Sequence, residues 1–247
     1  MNKTTHVNNK NMLQIIEDAV KDKRTTLDLG GKNLTFLPPE IRNLTYLKEL
    51  ILWDNELTTL PPEIEKLTNL EKLNLYGNNL TSLPPRIGNL VKLEELDLGF
   101  SNRLTTLPPE IGKLTKLKTL NLLCNKLTAL PPEIGKLTNL TKLDLMGNQL
   151  TALPPEIAKL TNLTKLDLTG NQLTALPPEI GKLTKLKMLK LAGNHLTALP
   201  QEFGKLTQLS ELNGVDNLLT GLPQQTEERI KRLVAEKEQE IIDYGTD

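Results

Sequence analysis

The chain has 247 residues, of which 30 are basic and 30 acidic, and a single cysteine, Cys124. A balanced charge argues against nucleic acid or an anionic membrane surface as the main partner, because a surplus of Lys and Arg is what holds either. One cysteine rules out disulfide-stapled end caps, and there is neither a signal peptide nor an apolar run of about eighteen residues, so a cytoplasmic chain without a membrane span is expected.

Residues before Asn11 read as a tail. From Asn11 to about Lys23, the residues Leu13, Ile16 and Val20 recur at helical spacing with Ile15 and Ala19 beside them, and Asn11 is placed to cap the start. This segment, 1–23, is predicted to hold a short amphipathic helix that covers the open apolar edge of the next segment. From Arg24 onward the chain is periodic: shifted by 23 residues, Leu140-Thr141-Lys142-Leu143-Asp144-Leu145 falls on Leu163-Thr164-Lys165-Leu166-Asp167-Leu168. Nine units begin at Arg24, Leu47, Leu70, Leu93, Leu117, Leu140, Leu163, Leu186 and Leu209, with one extra residue between Leu93 and Leu117. A fixed period of this length marks a solenoid, in which each unit buries its apolar face against its neighbours.

Within the third unit, Leu70, Leu73 and Leu75 alternate with polar residues as a short strand does. Leu80 and Leu83 continue the inward set, Pro84 and Pro85 end the ladder, and Ile87 and Leu90 suit one helical turn on the outer side. One strand per unit predicts a parallel sheet inside, turns outside, and curvature between them. The array is assigned to 24–223, its ninth unit irregular because Gly214 stands in place of a leucine. In 224–247, Ile230, Leu233, Val234 and Ile241 after Thr226 predict a C-terminal capping helix, with a dimerising helix as the alternative.

The frame Leu-x-x-Leu-x-Leu-x-x-Asn-x-Leu-x-x-Leu-Pro-Pro-Glu-Ile-x-x-Leu, seen at Leu47 to Leu67 and Leu117 to Leu137, resembles the leucine-rich repeat family. Its Leu-Pro-x-x-Ile half is similar to plant intracellular Ras-group-related repeat proteins and to bacterial Roco proteins. The resemblance implies an α/β fold: a right-handed horseshoe with a parallel concave sheet, short helical turns on the convex side and helical caps at both ends. It also implies a protein partner on the concave face, with a small GTPase suggested by resemblance alone. Roco proteins carry a GTPase domain, but no Gly-x-x-x-x-Gly-Lys-Ser/Thr occurs here.

The asparagines Asn55, Asn78, Asn102, Asn125, Asn148, Asn171, Asn194 and Asn217 stand where the chain leaves each strand. An amide offers both donor and acceptor to backbone groups stranded there, which makes these residues structural. Asp28, Asp97, Asp144 and Asp167, with Asn74, Asn121 and Asn213, form one concave column. Asp144 and Asp167 imitate the carboxylate pair of a retaining glycosidase, but on an exposed sheet beside Lys142 and Lys165 nothing raises a pKa, and a solvated, partner-contacting face is expected. Cys124 reads as a semi-buried thiol and His195 as a surface residue. Outer pairs such as Glu133 and Lys136 are expected to interact at i, i+3.

The position after the second strand leucine reads Trp53, Tyr76, Gly99 with Phe100, Leu123 and Met146 in successive units. This column predicts a continuous apolar ridge. Trp53, Tyr76, Phe100, Leu123 and Met146, with Ile51, are taken as the centre of a protein-binding surface, rimmed by Glu49, Lys72, Glu95, Asp97 and Lys142. The expected protein is a monomeric, non-catalytic scaffold in intracellular signalling, with no cofactor or metal. The alternatives are a recognition fragment of a multidomain enzyme such as a Roco-type GTPase, and a consensus-like scaffold without a dedicated partner.

Overall fold

The computed structural model describes residues 9–220. The first element is the helix α1 (Asn9–Lys21). It begins before Asn11, which therefore lies inside the first turn and not at the cap. Its buried stripe is Met12, Ile16 and Ala19, while Leu13, Ile15 and Val20 flank it half-buried. The helix lies where its periodicity predicts, but its apolar face is centred one residue earlier, on Met12 in place of Leu13. The helix packs on the turn Pro39–Asn43 of the first unit. It ends where Lys23 takes a left-handed backbone, φ 50°. There the N–H groups of Lys23 and Arg24 donate to the carbonyls of Val20 and Ala19 at 3.1 and 2.9 Å. This closure satisfies carbonyls that a helix end otherwise leaves open.

Among the described residues nine three-residue strands come next, each parallel to the last and in chain order within one sheet. They are β1 (Thr26–Asp28), β2 (Glu49–Ile51), β3 (Lys72–Asn74), β4 (Glu95–Asp97), β5 (Thr119–Asn121), β6 (Lys142–Asp144), β7 (Lys165–Asp167), β8 (Met188–Lys190) and β9 (Glu211–Asn213). The constant period keeps them in register, with Leu27 opposite Leu50, Leu50 opposite Leu73, and so on to Leu212. The extra residue of the fourth unit does not shift the register, since Glu95 still faces Thr119. It is absorbed after β4, where Phe100 and Ser101 both turn left-handed, φ 52° and 64°. The inward leucines of β1 to β8 are buried.

Opposite the sheet each of the first eight units makes one 3-10 turn. In the second unit Pro61 is extended (φ −66°, ψ 147°) and Pro62 opens the turn Pro62–Lys66, where a missing N–H costs nothing. Ile64 is buried and its carbonyl accepts from Leu67 N–H. The turns stack closely: a Cβ on Gly112 or Gly135 would stand 2.7 or 2.6 Å from the carbonyl oxygen of Glu133 or Glu156 in the next turn. The next unit's lysine lays its stem across this contact, with Lys136 Cδ 3.2 Å from that Cβ position on Gly112. Among the described residues no ion pair joins Glu133 to Lys136, Glu156 to Lys159 or Glu179 to Lys182, so the expected i, i+3 pairs are not made.

Buried asparagines tie successive units together. Asn148 Oδ1 accepts from Leu127 N–H at 3.0 Å, and its Nδ2 donates to the carbonyls of Leu122 and Leu145 at 2.9 and 3.0 Å. One amide satisfies three backbone groups of two units, each of which would cost about 1–3 kcal/mol if buried unpaired. The first unit has Lys32 at the asparagine position and, as later units do, uses the amide of the next: Lys32 and Leu34 N–H both donate to Asn55 Oδ1. At the far end a Cβ on Gly214 would meet nothing within 4 Å, and Leu212 is half-buried. The expected C-terminal capping helix lies outside the described residues.

Candidate protein-binding surface

The first and third residues of each strand face away from the leucine core. The third column is not the freely solvated row expected from the sequence. Asp28, Asn74, Asp97, Asn121, Asp144 and Asp167 each accept, through Oδ1, the N–H two residues further on, at 2.9 to 3.0 Å. These Asx bonds close the strands and fix the backbone that carries Tyr76, Leu123, Met146 and Thr169. The signal was present as an Asp or Asn at the third strand position in seven of the nine units. Ile51 and Lys190 break the column in the second and eighth units.

Burial also corrects the electrostatics. Asp144 is half-buried, and its carboxyl is pushed above the usual range by that burial, with neighbouring Asp167 adding to it and the Met146 N–H opposing. Asp167 pairs with Lys190 of the next strand at 3.7 Å. The sheet therefore does raise one carboxyl pKa, that of Asp144, against the expectation that exposure and nearby lysines would prevent it.

The aromatic column is placed in two pieces. Tyr76 and Phe100 stack, centroids 5.7 Å apart and planes 10° from parallel, and Phe100 is 50% exposed. Trp53, 43% exposed, leans the other way, onto the first unit. It lies flat on Gly30, where any Cβ would collide with the indole. The column alone does not reveal this seat, because it is made by the absence of a side chain one unit earlier. Leu123 is half-buried and Met146 40% exposed, so the apolar row continues past the stack at lower relief.

The rim residues gather around a depression of about 290 Å³ on the strand face. Glu49, Ile51, Trp53, Lys72, Glu95 and Asp97 line it, together with Asn74, Thr119 and Asn121. Lys72 Nζ is 2.8 Å from Glu95 Oε1, and the bond holds Lys72 above the usual lysine range, with Glu49 and Glu94 contributing. Lys142 is not there. It lines a second depression of about 280 Å³ with Asp144, Lys165, Asp167, Met188 and Lys190. The structure thus brings six of the eleven expected residues into one hollow, sets Tyr76 and Phe100 apart as a stack, and puts Lys142 in a separate basin.

Cys124 is half-buried at a left-handed position, φ 53°, and His195 is exposed. Among the described residues no three His, Cys, Asp or Glu side chains cluster as a metal ion requires, and no helix is long and apolar enough to cross a membrane.

A leucine-rich repeat region family model matches residues 23–126 and 142–234, and a second leucine-rich repeat model matches 116–137. The chain belongs to the leucine-rich repeat family. No curated protein matches this leucine-rich repeat chain in sequence. Among solved structures it is similar to a leucine-rich repeat protein of Leptospira interrogans, at 38% identity and a TM-score of 0.74, covering 85% of this chain and 60% of that one. An internalin of Listeria monocytogenes shares the fold at 24% identity and a TM-score of 0.70, covering 81% of this chain and 57% of that one. A plant peptide hormone receptor, RGFR1 in complex with RGF2, aligns at 32% identity and a TM-score of 0.67, covering 81% of this chain and 38% of the receptor. The chain therefore spans less than two thirds of each of these proteins. Leucine-rich repeat folds of this kind are typically binding scaffolds without catalysis of their own.

Proposed function

We propose that this leucine-rich repeat stack is a non-catalytic, monomeric scaffold that binds a protein partner on the strand face of its second to sixth units. Trp53, Tyr76, Phe100, Leu123 and Met146, with Ile51, supply the apolar contacts, and Glu49, Lys72, Glu95, Asp97 and Lys142 the polar ones. The observation that carries the reading is the Tyr76–Phe100 stack. Phe100 holds a left-handed backbone that costs a bulky side chain about 1–2 kcal/mol, and half of it faces solvent. Strain that presents an aromatic ring to water is better explained by a contact than by the stack's own stability. The similar receptor structure is a complex with RGF2, and binding of a partner is assigned here by analogy. The lone Cys124 suits an intracellular setting, which belongs to the same proposal.

The test compares wild type with the Trp53→Ala, Tyr76→Ala double variant and with Phe100→Gly, each used as bait in a lysate. Both variants are expected to lose the proteins that wild type captures, while urea midpoints stay within the equivalent of about 1 kcal/mol. Phe100→Gly relieves the left-handed backbone and so offsets the loss of about 0.5–1.5 kcal/mol of stacking. Identical captures by all three baits, or loss of binding in step with loss of stability, would refute the assignment.

A further inference from the structure

The strand face is acidic over its first four units and mixed in sign, with one lysine in excess, over the sixth to eighth. Over the first four units, Asp28, Glu49, Glu95 and Asp97 stand against the single Lys72, whose ammonium is already bonded to Glu95. Among the described residues the one side-chain hydrogen bond of Glu49 is from the Thr26 hydroxyl, at 3.5 Å, and Lys72 lies near enough to feel its charge. Asp28 and Asp97 spend one oxygen each on a backbone N–H, and the other makes no hydrogen bond among the described residues. Further along, Lys142 and Lys165 sit directly opposite one another in register at the first strand position, as Asp144 and Asp167 do at the third, so this basin holds both signs; neither lysine is in an ion pair among the described residues. Like charges facing each other across a ladder are unfavourable unless something outside neutralises them. Lys190 adds a third ammonium, partly answered by Asp167.

Resting on the proposed binding role of this face, we infer that the partner is an extended protein segment of opposite polarity. It carries Lys or Arg beside an apolar side chain over the second to fourth units, and a carboxylate over the sixth and seventh. The basic group enters the hollow between Glu49, Glu95 and Asp97, its apolar neighbour meets Trp53 or the Tyr76–Phe100 stack, and the carboxylate reaches Lys142 and Lys165. Five strand steps of about 4.8 Å separate Glu49 from Lys165, a span of about 24 Å that about seven extended residues cover. Complementary charge sets register and approach speed, while the aromatic contacts supply the hold. Within one chain, the two signs then discriminate between the two directions in which a segment can lie.

The probe is a displayed library of random peptides about twelve residues long, enough for that span, selected on the whole chain. Three variants are screened beside wild type: Glu49→Gln with Glu95→Gln, Lys142→Gln with Lys165→Gln, and Trp53→Ala with Tyr76→Ala. The expected winners carry a basic residue with an apolar neighbour and an acidic residue about seven positions away. Their affinity should fall by up to roughly fivefold for each charge removed at either end, and should fall again at about 1 M salt, where the Debye length is about 3 Å. Winners that need Trp53 and Tyr76 but show no charge preference, or ignore the Gln variants, would overturn this inference and leave the binding face standing. If no winner depends on Trp53 and Tyr76, or none emerges, both the inference and the reading beneath it fail.

Discussion

Asp144 shows how a single residue in a repeated position acquires its own chemistry. It makes the same Asx bond as its neighbours, to Met146 N–H at 3.0 Å. Burial and the adjoining Asp167 nevertheless lift its folded-state pKa above the unfolded value. The native state then keeps the proton to higher pH than the unfolded chain does. The stability tied to the protonated form is complete below the unfolded pKa and is lost as pH rises through the raised one. Asp144→Asn keeps the Oδ1 acceptor and discards the charge. Its urea midpoint should exceed that of wild type at about pH 7, and the difference should vanish below about pH 3. A lower midpoint at neutral pH, or a gap that does not change with pH, would show that the charge on Asp144 carries no such cost.

At the scale of elements, the convex turns set how closely units can approach. A Cβ on Gly135 would stand 2.6 Å from Glu156 O, yet Ala158 occupies the same position in the sixth unit and is buried there. One methyl is thus accommodated at that step by a small shift. Gly135→Val should cost about 1–3 kcal/mol through overpacking, and Gly135→Ala clearly less, as read from urea unfolding; equal costs would mean that turn spacing is not limiting. The second unit solves the same problem differently. Glu65 stands where the glycine would be, and its carboxylate is clasped by Arg86 at 2.6 Å and Asn89 at 2.9 Å; the Arg86 guanidinium, with Lys66 at 3.4 Å, holds it below the usual range. Arg86 itself replaces the glutamate of the Pro-Pro-Glu-Ile frame, so the two departures from the frame explain each other. The leucines, prolines and asparagines were legible in the sequence because each has one role fixed by the period. The direction in which Trp53 leans was not, since it depends on Gly30 in another unit. The Asx column was visible as residue types, but its role depended on the chain turning two residues later, which only the backbone shows. The proposed binding residues were legible as a column, whereas their division into a hollow, a stack and a second basin depends on side-chain angles that no period encodes.

For the whole molecule, the repeat architecture makes stability a chain of nearest-neighbour contacts, and the end units depend on what covers them. At the N-terminal end that cover is α1, whose Met12, Ile16 and Ala19 belong to the same continuous core as the leucines of β1 and β2. Ile16→Ala removes buried volume from a site 1% exposed and should cost about 2–5 kcal/mol locally. In a globular domain with one cooperative core, that loss would lower the protection of every slow amide alike. In a stack it should fall with distance from the cap, because each interface transmits only part of the change to the next. Native-state hydrogen exchange on Ile16→Ala should therefore show faster exchange at the ladder amides of β1 and β2, a smaller change at β3, and none at β6 and β7. The proposed binding hollow spans β2 to β5, so its N-terminal wall would loosen while Lys142 and Lys165 stay in place, and a segment held at both ends would lose its basic anchor first. Uniform acceleration from β1 to β7 would instead show that the nine units open as a single cooperative body, with the cap stabilising all of them at once.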